Sequence, residues 1–133
     1  MNIELKGIKE LLKHIENTIS QDEIERIFHL GSNSLDEMGI CGWLIRKLTL
    51  KLEDVFNYSF IIGDYSNKGF SIRGMNRLVD YINNTLTVEK RYEIFGKHNR
   101  ITTNDIGHYL TIYLDTCVSS EFNFYDFDKY ISF

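Results

Sequence analysis

This 133-residue chain contains no proline, where average usage is about 5%. Proline-rich linkers and proline kinks are therefore excluded. Cysteine is nearly as scarce. Cys41 and Cys117 both fall among apolar neighbours and are expected to be free thiols, buried in a reducing compartment. Long hydrophobic runs are also missing. Stretches such as Phe60-Ile61-Ile62 fall far short of the ~18 residues that span a bilayer. The opening Met1-Asn2-Ile3-Glu4-Leu5-Lys6 is charged and has no apolar core before a small-residue cleavage site. A cytoplasmic location without membrane association is the expectation.

Motifs of catalysis and metal binding are absent as well. No glycine-rich phosphate loop and no Gly-x-Ser-x-Gly occurs. His14, His29, His98 and His108 stand too far apart for zinc-ligand spacing, and neither cysteine lies near a histidine. Asp64-Tyr65-Ser66-Asn67-Lys68-Gly69 imitates the start of a calcium loop, then places a cation at Lys68 and a thioether at Met75 where ligands belong. A turn explains it better. Cys41 lies between Gly39-Ile40 and Gly42, and His98 and Arg100 sit near Lys97 and Arg91. Without local partners, these read as a buried cysteine and a solvated basic face. The expectation is a non-enzyme with no cofactor and no metal.

One tryptophan, eight tyrosines and nine phenylalanines supply ample material for a core. A chain of this length buries roughly 65–70% of its unfolded surface, so one domain over residues 1–133 is expected. Helical spacing recurs throughout. Ile3, Ile8, Leu11, Leu12, Ile15 and Ile19 suggest a helix over 3–19. Ser20, with Glu23 three residues on, suggests the cap of a second, ending near Gly31. Ser34 is the next candidate cap, before a stripe from Leu35 to Val55. Gly39 and Gly42 near its start suggest close packing on a neighbouring helix. Residues 58–72 change character: Tyr58 to Ile62 reads as a strand, Asn67-Lys68-Gly69 as a turn and Phe70 to Ile72 as a return. Helices then follow over about 71–86, over 88–96, and from a cap at Thr103 to about Val118. The expected fold is mainly α, a bundle of five or six helices with an optional small hairpin near 58–72.

The net charge of −4 is unevenly spread. Residues 61–100 carry four acids and seven bases, whereas residues 101–133 carry five acids and one base. The acidic end is also aromatic: Phe122, Phe124, Tyr125, Phe127, Tyr130 and Phe133 fall within its last 13 residues. Aromatic anchors among carboxylates suit a basic protein surface. Asp115, Glu121, Tyr125, Asp126, Phe127, Asp128 and Tyr130 are the candidate partner-binding residues. The acids Asp22, Glu23, Glu25, Asp36 and Glu37 form an alternative set. A helix-turn-helix reading of 20–48 places Asp36 and Glu37 where a recognition helix would meet phosphates, so a partner other than nucleic acid is expected.

In size, cytoplasmic character, lack of catalytic motif and acidic aromatic surface, the whole chain resembles the small acidic immunity proteins of bacterial toxin systems, including those of contact-dependent growth inhibition. The likeness is one of overall character and carries over no residue by position. It implies a protein that binds a cognate toxin, often a nuclease, and covers its active or substrate-binding surface. The alternative is a phage- or mobile-element-encoded regulatory module acting on a host protein or on DNA. Oligomeric state is left open by the sequence.

Overall fold

The computed structural model describes residues 1–31 and 33–133. The chain opens with a strand, not with the helix expected over 3–19. Strand β1 (Asn2–Leu5) alternates exposed and buried positions, so Ile3 and Leu5 point into the core. Over so few residues an alternating pattern is hard to tell from a helical one. Strand partners on both sides decide for β1. Helix α1 (Ile8–Thr18) begins only after Gly7.

Helix α2 (Gln21–Phe28) starts where expected, with the Ser20 hydroxyl accepting the Glu23 N–H at 3.3 Å. Helix α3 (Glu37–Phe56) is capped by Asp36, which accepts the Gly39 N–H at 2.8 Å, and not by Ser34. A carboxylate there also complements the helix dipole. Gly39 and Gly42 do not serve helix packing. A side-chain carbon at Gly42 would meet nothing within 4 Å, and one at Gly39 would meet only Leu35 and Asp36 nearby in its own chain segment.

The hairpin is present, set slightly later than expected. Strand β2 (Ile61–Ser66) turns through Asn67 and Lys68 into β3 (Gly69–Arg73). Gly69 has φ 148, and its backbone presses on the Ile3 carbonyl, so no side chain fits there. Helix α4 (Met75–Thr85) begins after Gly74, which turns left-handed at φ 75. The strand therefore holds residues that the helical spacing assigned to a helix from 71. Helix α5 (Val88–Phe95) is capped by Thr87. Helix α6 (Thr103–Phe122) is capped by Thr102, one residue before the expected cap, and runs to Phe122 rather than to about Val118. A 3-10 turn (Phe127–Tyr130) leads into β4 (Ile131–Ser132).

The protein is mostly helical, 62%, with six α-helices and one four-stranded sheet among the described residues. The sheet is antiparallel, ordered β2-β3-β1-β4, and so larger than a hairpin. Helix α3 packs on α1, α2 and α6, and α6 also meets α4. Leu11 and Ile15 of α1, Leu44, Leu48 and Leu52 of α3, and Leu110, Leu114 and Val118 of α6 lie in one buried cluster with Ile3 and Ile72 of the sheet. Each such side chain contributes about 1.5–3 kcal/mol on burial. Cys41 joins that cluster, and burial pushes its thiol up to about 11. Both cysteines are free, with Cys117 half-buried.

Two buried polar side chains tie the helices together. The Asn83 amide donates to the Ile101 carbonyl at 3.0 Å and accepts the Ile101 N–H at 2.8 Å. Arg91 donates to the carbonyls of Asn83 and Leu86 at 3.3 and 2.8 Å, closing the end of α4.

Candidate functional site

The acidic aromatic end docks on the fold, and docking divides its residues into two sets. Phe127 is 0% exposed. It is a core residue, and its expected place among partner-binding side chains is corrected accordingly. Asp115 on α6 accepts the Phe127 N–H at 2.8 Å, so its carboxylate anchors the 3-10 turn. Tyr130 is half-buried and lies against Gly7, where a Cβ would come within 2.5 Å of the ring. Its ring also faces Phe127 and Phe124. These three residues hold the segment down.

Glu121, Tyr125, Asp126 and Asp128 remain on the surface. Tyr125 is 66% exposed. The backbone turns left-handed at Asn123 (φ 53) and Asp126 (φ 62), so the link bends twice between α6 and the 3-10 turn. Both residue types tolerate that region. The end of α6 is fixed by His14, whose Nε2 donates to the Phe122 carbonyl at 2.6 Å. The His14 ring also meets Phe124 edge-on at 5.2 Å.

The alternative acidic set is split by the fold. Asp36 caps α3, and Glu37 accepts from the Asn67 amide at 2.8 Å. Glu25 accepts the Gly31 N–H at 2.9 Å. Helix α2 itself is seated beside the end of α6. Phe28 stacks on Phe122 at 5.8 Å with planes 2° apart, and Trp43 leans on both rings. Arg26 of α2 is raised above its ordinary pKa by its hydrogen bond with Glu23, by the Glu23 charge and, more weakly, by Glu121 of α6. Glu23 is lowered in turn by that bond to Arg26. Acids from two separate stretches of sequence thus flank one aromatic seam. Spacing along the chain could not reveal this, because the Phe28–Phe122 contact joins residues far apart in sequence.

The basic residues expected to form a solvated face are put to several uses. Arg91 is buried in the α4 closure already described. Lys97 bonds the Asp105 carboxylate at 2.9 Å, and His98 stacks on Tyr92 at 4.2 Å. Burial pushes the Asp105 carboxyl up. The Lys97 bond, the Thr102 N–H and hydroxyl, and the Lys97 charge outweigh that and leave it below its ordinary value.

A second surface feature was not singled out in the sequence. A groove of about 510 Å³ runs along the outer side of α6 between α3 and α5, with Phe95, Tyr109, Ile112 and Tyr113 in its walls. Burial raises both tyrosine phenols above their ordinary values. The Cys117 thiol adds to the shift at Tyr113, and the Asp54 charge contributes at each. Ile112 stands outward here, 65% exposed, and Leu50, 58% exposed, borders the adjoining recess with Lys51 and Tyr113. The signal was legible: neither residue falls on the apolar stripe of its own helix.

Among the described residues, no group of three or more His, Cys, Asp or Glu side chains is placed to hold a metal ion. Among the same residues, no helix is long and apolar enough to cross a membrane. Comparison of the chain with protein-family models, with curated proteins and with solved structures returns no match.

Proposed function

We propose that this protein is a non-catalytic, protein-binding inhibitor of the immunity type, acting in the cytoplasm on a basic cognate toxin, a nuclease. In this reading residues 1–133 act as one helical bundle with its sheet attached. The Phe28–Phe122 stack carries the proposal. It seats the acidic helix α2 beside the acidic end of α6, next to an exposed Tyr125.

The physics of such a face is straightforward. A nuclease grips phosphate with cationic groups. Carboxylates of Glu121, Asp126 and Asp128, with Asp22 of α2, would stand in for phosphates and steer the encounter. Tyr125 would fill an apolar recess and lengthen the lifetime of the complex. Phe127, Asp115 and Tyr130 act indirectly by holding the presenting segment in place.

Tagged purification from native cells with mass spectrometry of the eluate identifies the partner. A stoichiometric basic protein with a toxin domain supports the reading. With the purified pair, Asp126→Lys combined with Asp128→Lys is expected to slow association about tenfold at low salt, and Tyr125→Ala to speed dissociation. Unchanged association rates overturn this placement of the face. Elution with nucleic acid, held with a steep salt dependence, overturns the inhibitor reading itself.

A further inference from the structure

The outer side of α3 carries a charge pattern that the fold engages, among the described residues, with one side-chain hydrogen bond, from the Ser59 hydroxyl to Glu53 at 3.4 Å. Arg46, Leu50, Glu53 and Asp54 recur at helical spacing, share one face and are all exposed. Lys47 and Lys51 border that face, their ammonium groups lying over the Trp43 and Tyr113 rings at 5.5 and 5.1 Å. None of these charged groups forms an ion pair among the described residues. The stripe runs from cationic, through an outward leucine, to anionic. Ile112 of α6 adds a second exposed apolar side chain. It neighbours Lys51 and Tyr113, which also border Leu50.

An apolar residue set between opposite charges is self-complementary under two-fold symmetry, because each contact is made twice. Let two copies of α3 cross antiparallel with Leu50 over Leu50 of the second copy. Arg46 then faces Asp54 of that copy, and Lys47 faces Glu53. A parallel crossing would set like charge against like. A foreign helix would need the same gradient by coincidence, whereas a second copy carries it by construction. We propose that this face of α3, flanked by Ile112, is an isologous homodimer interface. Its residues are different from those of the proposed toxin-binding face.

Sedimentation velocity over a wide concentration range tests this on the purified chain. Wild type is expected to shift from monomer to dimer. Leu50→Glu should raise the dimer Kd more than about tenfold, and Arg46→Asp or Asp54→Arg alone about tenfold each. Arg46→Asp combined with Asp54→Arg restores opposite charges across the axis and should recover most of the affinity. All these positions are exposed, so circular dichroism should show an unchanged fold. A wild type that stays monomeric at every concentration overturns the proposal and leaves the stripe to a different partner. A dimer indifferent to Leu50→Glu, or a double variant no better than the singles, overturns it as well.

Discussion

Single side chains in this protein are often decided by what lies beyond their own helix. Gly42 and Gly7 make the point. Gly42 lies inside α3 with open space where a Cβ would go, while Gly7 lies beneath the base of the Tyr130 ring. Gly42→Ala should stabilise the fold by about 0.5–1 kcal/mol through helix propensity. Gly7→Ala should destabilise it by about 1–3 kcal/mol through overpacking. Urea midpoints of the two variants should therefore move in opposite directions. The Asp105 carboxyl has a pH signature of its own. Its folded pKa lies below its ordinary value, so its contribution is present above the unfolded pKa of about 3.9. That contribution is lost as the pH falls through the folded pKa. Asp105→Asn should leave a shallower loss of stability on acidification below about pH 4 than wild type shows, as read by denaturant titrations at successive pH values.

At the scale of elements, the C-terminal segment both presents and buries aromatic side chains. The link from Asn123 to Asp126 bends outward, and the chain then returns through the buried Phe127 to pair β4 with β1. The same short stretch thus presents Tyr125 and buries Phe127. Phe127→Ala should lower unfolding stability by about 3–5 kcal/mol. Tyr125→Ala should change it by less than about 0.5 kcal/mol. Comparable losses for the two variants would show that the segment is not docked as described. Element boundaries follow the same logic of partners. β1 is a strand because β3 and β4 flank it, and α4 starts late because β3 occupies the residues before Gly74.

For the whole molecule, one buried cluster joins the helices to the sheet. The only tryptophan, Trp43, sits inside it against Phe28 and Phe122. The pairing of β1 with β4 brings residues from opposite ends of the chain together, at a loop-closure cost that grows slowly with separation. Trp43 fluorescence and far-ultraviolet circular dichroism should therefore report a single, coincident urea transition. Separate midpoints would show that the core around Trp43 and the bulk of the helices do not unfold together.

Much of the helical content was determined by the sequence alone, because it depends on spacing and caps within a few residues. Ser20 starts α2 and the stripe through Leu48 and Leu52 defines α3, while Asn67, Lys68 and Gly69 make the turn of the hairpin. The chemistry of capping and of φ is local, so it is legible locally. The acidic character of the last residues was equally plain. Which of those residues face water was not. Phe127 and Tyr125 have the same kind of neighbours in sequence; the Asp115 carboxylate on the Phe127 N–H and the packing of the Phe127 ring in the core, against Phe124 and Tyr130, separate them. The four-stranded sheet, the meeting of α2 with the end of α6 and the exposed stripe on α3 all arise from contacts between distant segments. Tertiary packing decided them, because burial depends on which surfaces meet and not on the order in which residues follow one another.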